Sequence, residues 1–306
     1  MKRFFTDKIL MVEPNYFNFN QETAISNKFQ HQLDEAQSTV TANALKEFDS
    51  MVKLLQQNDI EVKVAKSDDD TKCPDAVFPN NWISFHDDGT IITYPLLAES
   101  RRKEKNQNII ESISKEYHFD KLLELNYLEN QSIYLEGTGS MILDREHRIC
   151  YACESPRTHR DALEAFCKLR KYKPVFFKAF DYNKHSIYHT NVMMALGHDF
   201  AVICVESIPD EDKKNVLEAL TNSSKWICDI SFEQMNHFAG NMLQLQNKKG
   251  DYILVMSNTA FLSLSADQKS RLEKSTTLLP VSIPTIETIG GGSARCMIAE
   301  IFVPQN

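Results

Sequence analysis

Five polar residues recur along the chain at nearly constant spacing: Asn81, Glu136, Asn191, Asn241 and Cys296. The intervals are 55, 55, 50 and 55 residues. The sequence after each of the first four has the same form. An apolar stretch (82–85, 140–143, 192–196, 242–245) meets a polar turn, and a second apolar stretch follows (90–94, 148–152, 200–205, 252–256). Each reads as a β-hairpin. A period of this length denotes one supersecondary unit repeated along the chain. Copies packed around an axis would bring a thiol, a carboxylate and three amides together at its centre.

A helical pattern and a further strand follow every hairpin. Residues 99–117 and 121–125 follow the first. Ser155-Pro156 opens the second helix, with serine as N-cap and proline at the first helical position. Leu163, Phe166, Cys167 and Leu169 are assigned to its apolar face, with a strand at 175–177. Pro209-Asp210-Glu211-Asp212 opens the third, with acidic residues in its first turn and Leu217 and Leu220 on its apolar side; its strand is 226–230. Ser265 caps the fourth, before a strand at 278–283. The N-terminal segment supplies an incomplete copy: strand 9–12, a helix within 35–57 and strand 62–65. These elements predict an α/β fold of five repeated units, helices outside and strands inside. Residues 1–306 form one domain in this reading, and 67–72 is a loop between units.

Composition narrows the function classes. A formal net charge of −8 argues against nucleic acid or an anionic membrane as partner. No run approaches the ~18 apolar residues of a membrane span. Met1-Lys2-Arg3 begins like a signal peptide, but Thr6-Asp7-Lys8 interrupts the apolar stretch behind it. The last four residues carry no recognisable address. Seven cysteines, an odd number without framework spacing, read as reduced thiols, and a cytoplasmic location is expected.

Chemistry concentrates at the recurring positions. Gly290-Gly291-Gly292 precedes Ser293-Ala294-Arg295-Cys296. Such a loop brings backbone close to a ligand, and a cysteine behind it is aimed from a strand end into a cavity. Arg295 would favour the thiolate of Cys296 if the two side chains face each other. A nucleophilic cysteine needs a proton carrier, usually histidine. Eight of the nine histidines fall in helices, turns or loops, where most should be solvated. His189 lies two residues before Asn191, so a strand would place both on one face. Glu136, between Leu135 and Gly137, is a carboxylate that is costly to bury without a partner. Asn241 reads as a backbone-bonding structural residue. Arg101-Arg102 at the start of a helix either is a solvated basic face or offers one guanidinium for bidentate binding of a substrate carboxylate. Cys150-x-x-Cys153 lacks a second pair at zinc-ribbon spacing, and 233–237 lacks the pattern of a metal helix, so no metal or other cofactor is expected.

The ordered set Phe78-Pro79-Asn80-Asn81-Trp82, Glu136-Gly137, His189-x-Asn191 and a C-terminal Gly-rich loop ending in Cys296 resembles the guanidino-group-modifying, or pentein, superfamily. The likeness spans roughly residues 8–303. The stretch from Pro74 to Trp82 is most similar to amidinotransferase-like proteins called citrulline-utilisation hydrolases. The resemblance implies a five-fold pseudosymmetric α/β propeller of ββαβ units with a central active-site channel. It implies Cys296 as nucleophile, His189 as general acid/base and Glu136 as the group that orients substrate and histidine. It further implies Asn81, Asn191, Arg101 or Arg102, and Gly292 as substrate-binding residues. Arginine deiminases have aspartate where this chain has Asn81 and Asn191, and those aspartates pair with a guanidinium. Amides offer both donor and acceptor and suit a neutral ureido group, although some dihydrolases of the superfamily also use asparagine and take arginine derivatives. The expected activity is cysteine-dependent hydrolysis of a C–N bond in citrulline, arginine or an arginine derivative. An amidinotransferase, or a non-catalytic amino-acid-binding protein of the same fold, is the alternative.

Overall fold

The computed structural model describes residues 3–67 and 71–304. Residues 68–70, inside the loop expected at 67–72, lie outside that range, as do the two residues at each terminus.

The described strands form five three-stranded sheets. In four of them an antiparallel hairpin is extended by a parallel strand that returns after a helix. These are Ile83–Phe85, Thr90–Thr93 and Lys121–Glu124; Ile142–Asp144, Ile149–Cys153 and Lys173–Phe177; Met194–Leu196, Phe200–Ile203 and Trp226–Asp229; and Leu243–Gln246, Tyr252–Ser257 and Thr277–Val281. In the fifth sheet, Lys8–Glu13 pairs in parallel with Glu61–Lys66 and antiparallel with Ala299–Glu300 from the other end of the chain. The C-terminal strand therefore completes the incomplete N-terminal unit. Thr6 Oγ1 donates to Ile301 O at 2.6 Å beside that closure. First strands of successive units touch: Ala299–Glu300 meets Ile83–Phe85, Ile142–Asp144 meets Met194–Leu196, and Met194–Leu196 meets Leu243–Gln246. The first strands thus gather around an axis, as the period requires.

The helices cover the sheets by burying one face. Gln37–Gln57 buries Val40, Ala44, Phe48, Met51, Val52 and Leu55, a 3.6-residue stripe. Asp210–Asn222 buries Val216 and Leu220, and Ser265 caps Ala266–Leu272 in a capping box with Gln268. Among the described residues no helix is long and apolar enough to cross a membrane.

Three local expectations are corrected. The helix expected over 99–117 is two, Glu99–Arg102 and Gln107–Tyr117, because Asn106 accepts from Asn108 N and Ile109 N and restarts the helix. The second unit's helix is Arg160–Arg170, not one opening at Ser155. Ser155 instead forms a turn, accepting from Arg157 N and donating to Tyr188 O. Leu169 faces solvent at 45% exposure. It is six residues beyond Leu163, so 3.6-residue periodicity rotates it off the buried face.

Candidate active site

Each recurring residue sits in a short turn just before the first strand of a unit. Asn81 ends the 3₁₀ turn Pro79–Asn81, Glu136 precedes the helical turn Gly137–Ser140, and Asn191 lies in the turn Thr190–Met193. Asn241 follows Phe238, whose φ is 62°, and Cys296 lies in a turn before Ala299–Glu300. His189 is the extended N-cap of Thr190–Met193. Strand alternation therefore does not bring His189 and Asn191 together. The helical turn between them sends His189 to Glu136 and Asn191 to Cys296.

All five residues are buried. Asn81, His189 and Cys296 line one small cavity, with Arg101, Gly292, Asp75, Tyr188 and Arg157 also in its wall; Glu136 and Asn191 are not among its lining residues. Close approach here needs glycine: a Cβ on Gly139 would lie 2.5 Å from Asn81 Nδ2 and 2.8 Å from His189 Nδ1. This accounts for the glycine three residues after Glu136.

Glu136 is 0% exposed and organises the polar network. Its Oε2 lies 2.8 Å from His189 Nε2 and 3.4 Å from Arg157 Nη1, while Oε1 accepts from Leu97 N at 3.0 Å. Burial opposes its charge, but Arg157, His189 and Arg101 outweigh burial and hold the carboxyl well below the usual range. Burial pushes the His189 imidazole down to about 4, with Glu136 only partly opposing it. A neutral ring whose Nε2–H faces an ionised carboxylate carries its lone pair on Nδ1. The His189 ring should therefore stay neutral from pH 5 to 8, with the proton on Nε2. Long-range ¹H–¹⁵N spectra check this, and a titration of His189 near 6.5 would contradict it.

Cys296 Sγ receives Asn191 Nδ2 at 3.3 Å and Asn241 Nδ2 at 3.2 Å. Asn241 bonds main chain as expected, donating to Asn191 O and accepting from Arg295 N. Its contact with sulfur has no signal in the sequence beyond the register. The Arg295 guanidinium is directed to Ile298 O at 2.9 Å and Glu300 at 3.3 Å. The idea that it faces the thiol is thus corrected: its own carboxylate partner draws it away.

The two candidate arginines separate. Arg101 lines the cavity, but Glu104 takes its Nε and Nη2 at 2.9 and 2.8 Å, and Asn81 Oδ1 takes Nη1 at 2.6 Å. Burial opposes its charge, yet Glu104, Asp75 and Glu136 raise it above the ordinary range. Arg102 is not among the cavity-lining residues; it donates to Leu96 O and Leu97 O and lies beside Glu129.

Sequence reasoning missed Arg157, Asp75 and Tyr188. Arg157 was hidden in the supposed helix start; it contacts Glu136 and donates to Ser26 Oγ and Thr23 O. Asp75 sits inside the Pro74 to Trp82 stretch that carried the resemblance, and its buried Oδ1 has no partner. Tyr188, beside His189, donates to Gly291 O at 2.9 Å. Among the other histidines, His86 is buried rather than solvated: Ser84 Oγ lies 2.9 Å from its Nε2, and burial drives it well below its ordinary range.

A buried cysteine, a carboxylate-oriented histidine and five repeated ββαβ units around an axis define a member of the guanidino-group-modifying pentein superfamily. Residues 13–303 match the family described as "N,N dimethylarginine dimethylhydrolase, eukaryotic", and the chain belongs to that family. No curated protein matches it. Among solved structures it is similar to ArgZ, an arginine dihydrolase of the ornithine–ammonia cycle in Cyanobacteria. Identity is 18% and the TM-score 0.74, over 98% of this chain and 41% of that one. Against the N-terminal domain of ArgZ bound to substrate the values are 17% and 0.74, over 97% and 98%. A dimethylarginine dimethylaminohydrolase in adduct with S-methyl-L-thiocitrulline gives 17% and 0.64, over 97% and 99%. The chain therefore spans less than half of full-length ArgZ and nearly all of its N-terminal domain.

Proposed function

We propose that the chain is a cysteine-dependent hydrolase of C–N bonds in ureido or guanidino amino acids, with the ureido group preferred. The observation that carries this reading is the shared cavity of Cys296 and His189, the latter held through Nε2 by buried Glu136. In the reaction, the Cys296 thiol proton passes to His189 Nδ1 and sulfur attacks the central carbon. The tetrahedral adduct collapses as His189 returns the proton to the departing nitrogen, and ammonia leaves. A thiocarbamate (from a ureido group) or S-alkylthiouronium (from a guanidino group) remains on Cys296. His189 then takes a proton from water, whose oxygen attacks the same carbon and releases the thiol. The N-terminal domain of ArgZ has a structure covalently bonded to a reaction intermediate, which supports a covalent route in this fold.

The preference rests on donor and acceptor counting. Asn81 Oδ1 is occupied by Arg101, and its Nδ2 donates to Asn80 Oδ1 at 3.0 Å. The remaining Asn81 hydrogen is a donor. Asn191 is not among the cavity-lining residues, but it bonds Cys296 Sγ, which is, and its buried Oδ1 has no partner, so it is an acceptor beside the sulfur. A ureido group supplies one carbonyl and several N–H groups, which suits this pair. A guanidinium has only donors and would set an N–H against that of Asn81. Asp75 Oδ1 and Arg157 would receive the ammonium and carboxylate of the amino-acid end.

Ammonia release from citrulline, arginine and agmatine, with and without an acceptor amine, tests the proposal. Substrate consumption that requires the amine and yields a new guanidino or ureido product without ammonia would point to a transferase. Asn81→Asp should raise the guanidino-to-ureido ratio of kcat/KM about 10-fold or more, because a charge-assisted bond replaces a donor conflict. An unchanged ratio would remove the basis for the preference.

A further inference from the structure

Asn241 has the bonds of a structural residue, yet it also touches the sulfur. The orientation of its amide is set from both ends. Oδ1 accepts from Arg295 N at 3.1 Å, so Nδ2 lies on the opposite side. One Nδ2 hydrogen goes to Asn191 O at 3.0 Å and the other to Cys296 Sγ at 3.2 Å. Turning the amide over would set Oδ1 against the Asn191 carbonyl and Nδ2 against the Arg295 N–H, losing both main-chain bonds.

We propose that Asn241 is a catalytic residue: with Asn191 it forms a two-donor cradle that stabilises the ionised sulfur of Cys296 before attack. This rests on the reading of Cys296 as nucleophile. The cations of the site are engaged elsewhere. Arg295 bonds Ile298 O and Glu300, Arg101 bonds Glu104 and Asn81, and Arg157 bonds Ser26, Thr23 O and Glu136. His189 bonds Glu136, and burial keeps its ring neutral until it takes the thiol proton. Hydrogen bonds to the charged form of a group favour that form, and the two amide N–H groups are the donors that reach Sγ. Asn241 also serves the protonated thiol, because its Oδ1 lies 3.6 Å from Sγ, within reach of a weak S–H donor. As the S–H bond breaks, the proton moves to His189 Nδ1 and the electron pair stays on sulfur, facing two donors. When that pair forms the S–C bond, charge passes to the substrate and the amide bonds weaken. The cradle therefore acts on the thiolate and does not hold the covalent intermediate.

The test is alkylation of Cys296 by iodoacetamide across pH, without substrate, with the labelled residue identified by mass spectrometry. Asn241→Asp keeps an oxygen for Arg295 N–H and replaces the sulfur donor by a carboxylate. Labelling at neutral pH should slow about 10- to 100-fold, and its pH profile should move to higher pH. With the preferred substrate kcat should fall by a similar factor, while KM stays within about threefold. Asn241→Ser, a neutral and shorter residue, should slow labelling in the same direction and serves if the aspartate variant does not fold. A purely structural role would lower the melting temperature and leave the labelling profile of the folded protein unchanged. Wild-type labelling rate and profile in either folded variant would overturn the proposal. Because labelling uses no substrate, it stays readable even if the hydrolase reading itself fails.

Discussion

Cys296→Ala should reduce ammonia release by roughly 10⁴-fold or more and leave no covalent adduct detectable by mass spectrometry. The size follows from the chemistry. Sulfur supplies the nucleophile and the leaving group of the second step, and among the described residues no second thiol lines the cavity. Loss of fold would not account for the result. The substitution removes one buried sulfur and the two N–H contacts it receives, a cost of about 1–3 kcal/mol. Cys296→Ser keeps an acceptor for both amides and should fold as well, yet turn over little, because a hydroxyl is a far weaker nucleophile at neutral pH. Turnover by the alanine variant within tenfold of wild type would sink the covalent mechanism.

Glu136→Gln should damage both stability and rate. The carboxylate faces Arg157 at 3.4 Å, Arg101 at 4.0 Å and His189 at 2.8 Å, all within a fully buried network. Removing one charge from such a network leaves its partners uncompensated, at a cost of about 3–5 kcal/mol. For a chain of this size that lowers the melting temperature by roughly 5–8 °C. The glutamine also offers an N–H on the side of the guanidinium groups, and His189 loses the acceptor that keeps its proton on Nε2. General acid–base help worth roughly 10²–10⁴-fold should then be lost from kcat. Calorimetry and steady-state kinetics on the same preparation read the two effects. A variant with unchanged melting temperature and kcat would show that Glu136 is neither the hub of the network nor the orienter of His189.

Much of this site was legible before folding was considered. Asn81, Glu136, Asn191 and Cys296 stood out by register, and register survives folding because each residue opens an equivalent unit. His189 was picked for its place beside Asn191, although strand alternation was the wrong reason. The short turn Thr190–Met193 was not foreseen because a four-residue helical turn has no periodicity to detect. Arg157 was missed because Ser155-Pro156 carries a plausible capping signal that a turn used instead. Local chemistry could not separate the two outcomes; the bond from Ser155 Oγ to Tyr188 O, 33 residues away, decided it.

The sequence by itself determined the repeat, hence five similar units and the residues at their inner ends. A repeat is a local property: each unit folds by its own hairpin, helix and strand pattern. It also determined which reactive groups could meet, since equivalent positions meet if equivalent units surround one axis. Tertiary structure decided the electrostatics and the partnerships. Whether Arg101 or Arg102 enters the cavity, whether Arg295 faces the thiol and whether Asn241 touches it depend on which side chain wins each hydrogen bond. Some of those contests run between residues 20 to 105 positions apart, such as Arg101 with Asn81 and Asn191 with Cys296, while others, such as Arg295 with Glu300 and Arg101 with Glu104, are between near neighbours whose burial the sequence does not display. Burial then sets their outcome, because out of water an unpaired charge or amide is costly and each group takes the nearest partner the packing allows.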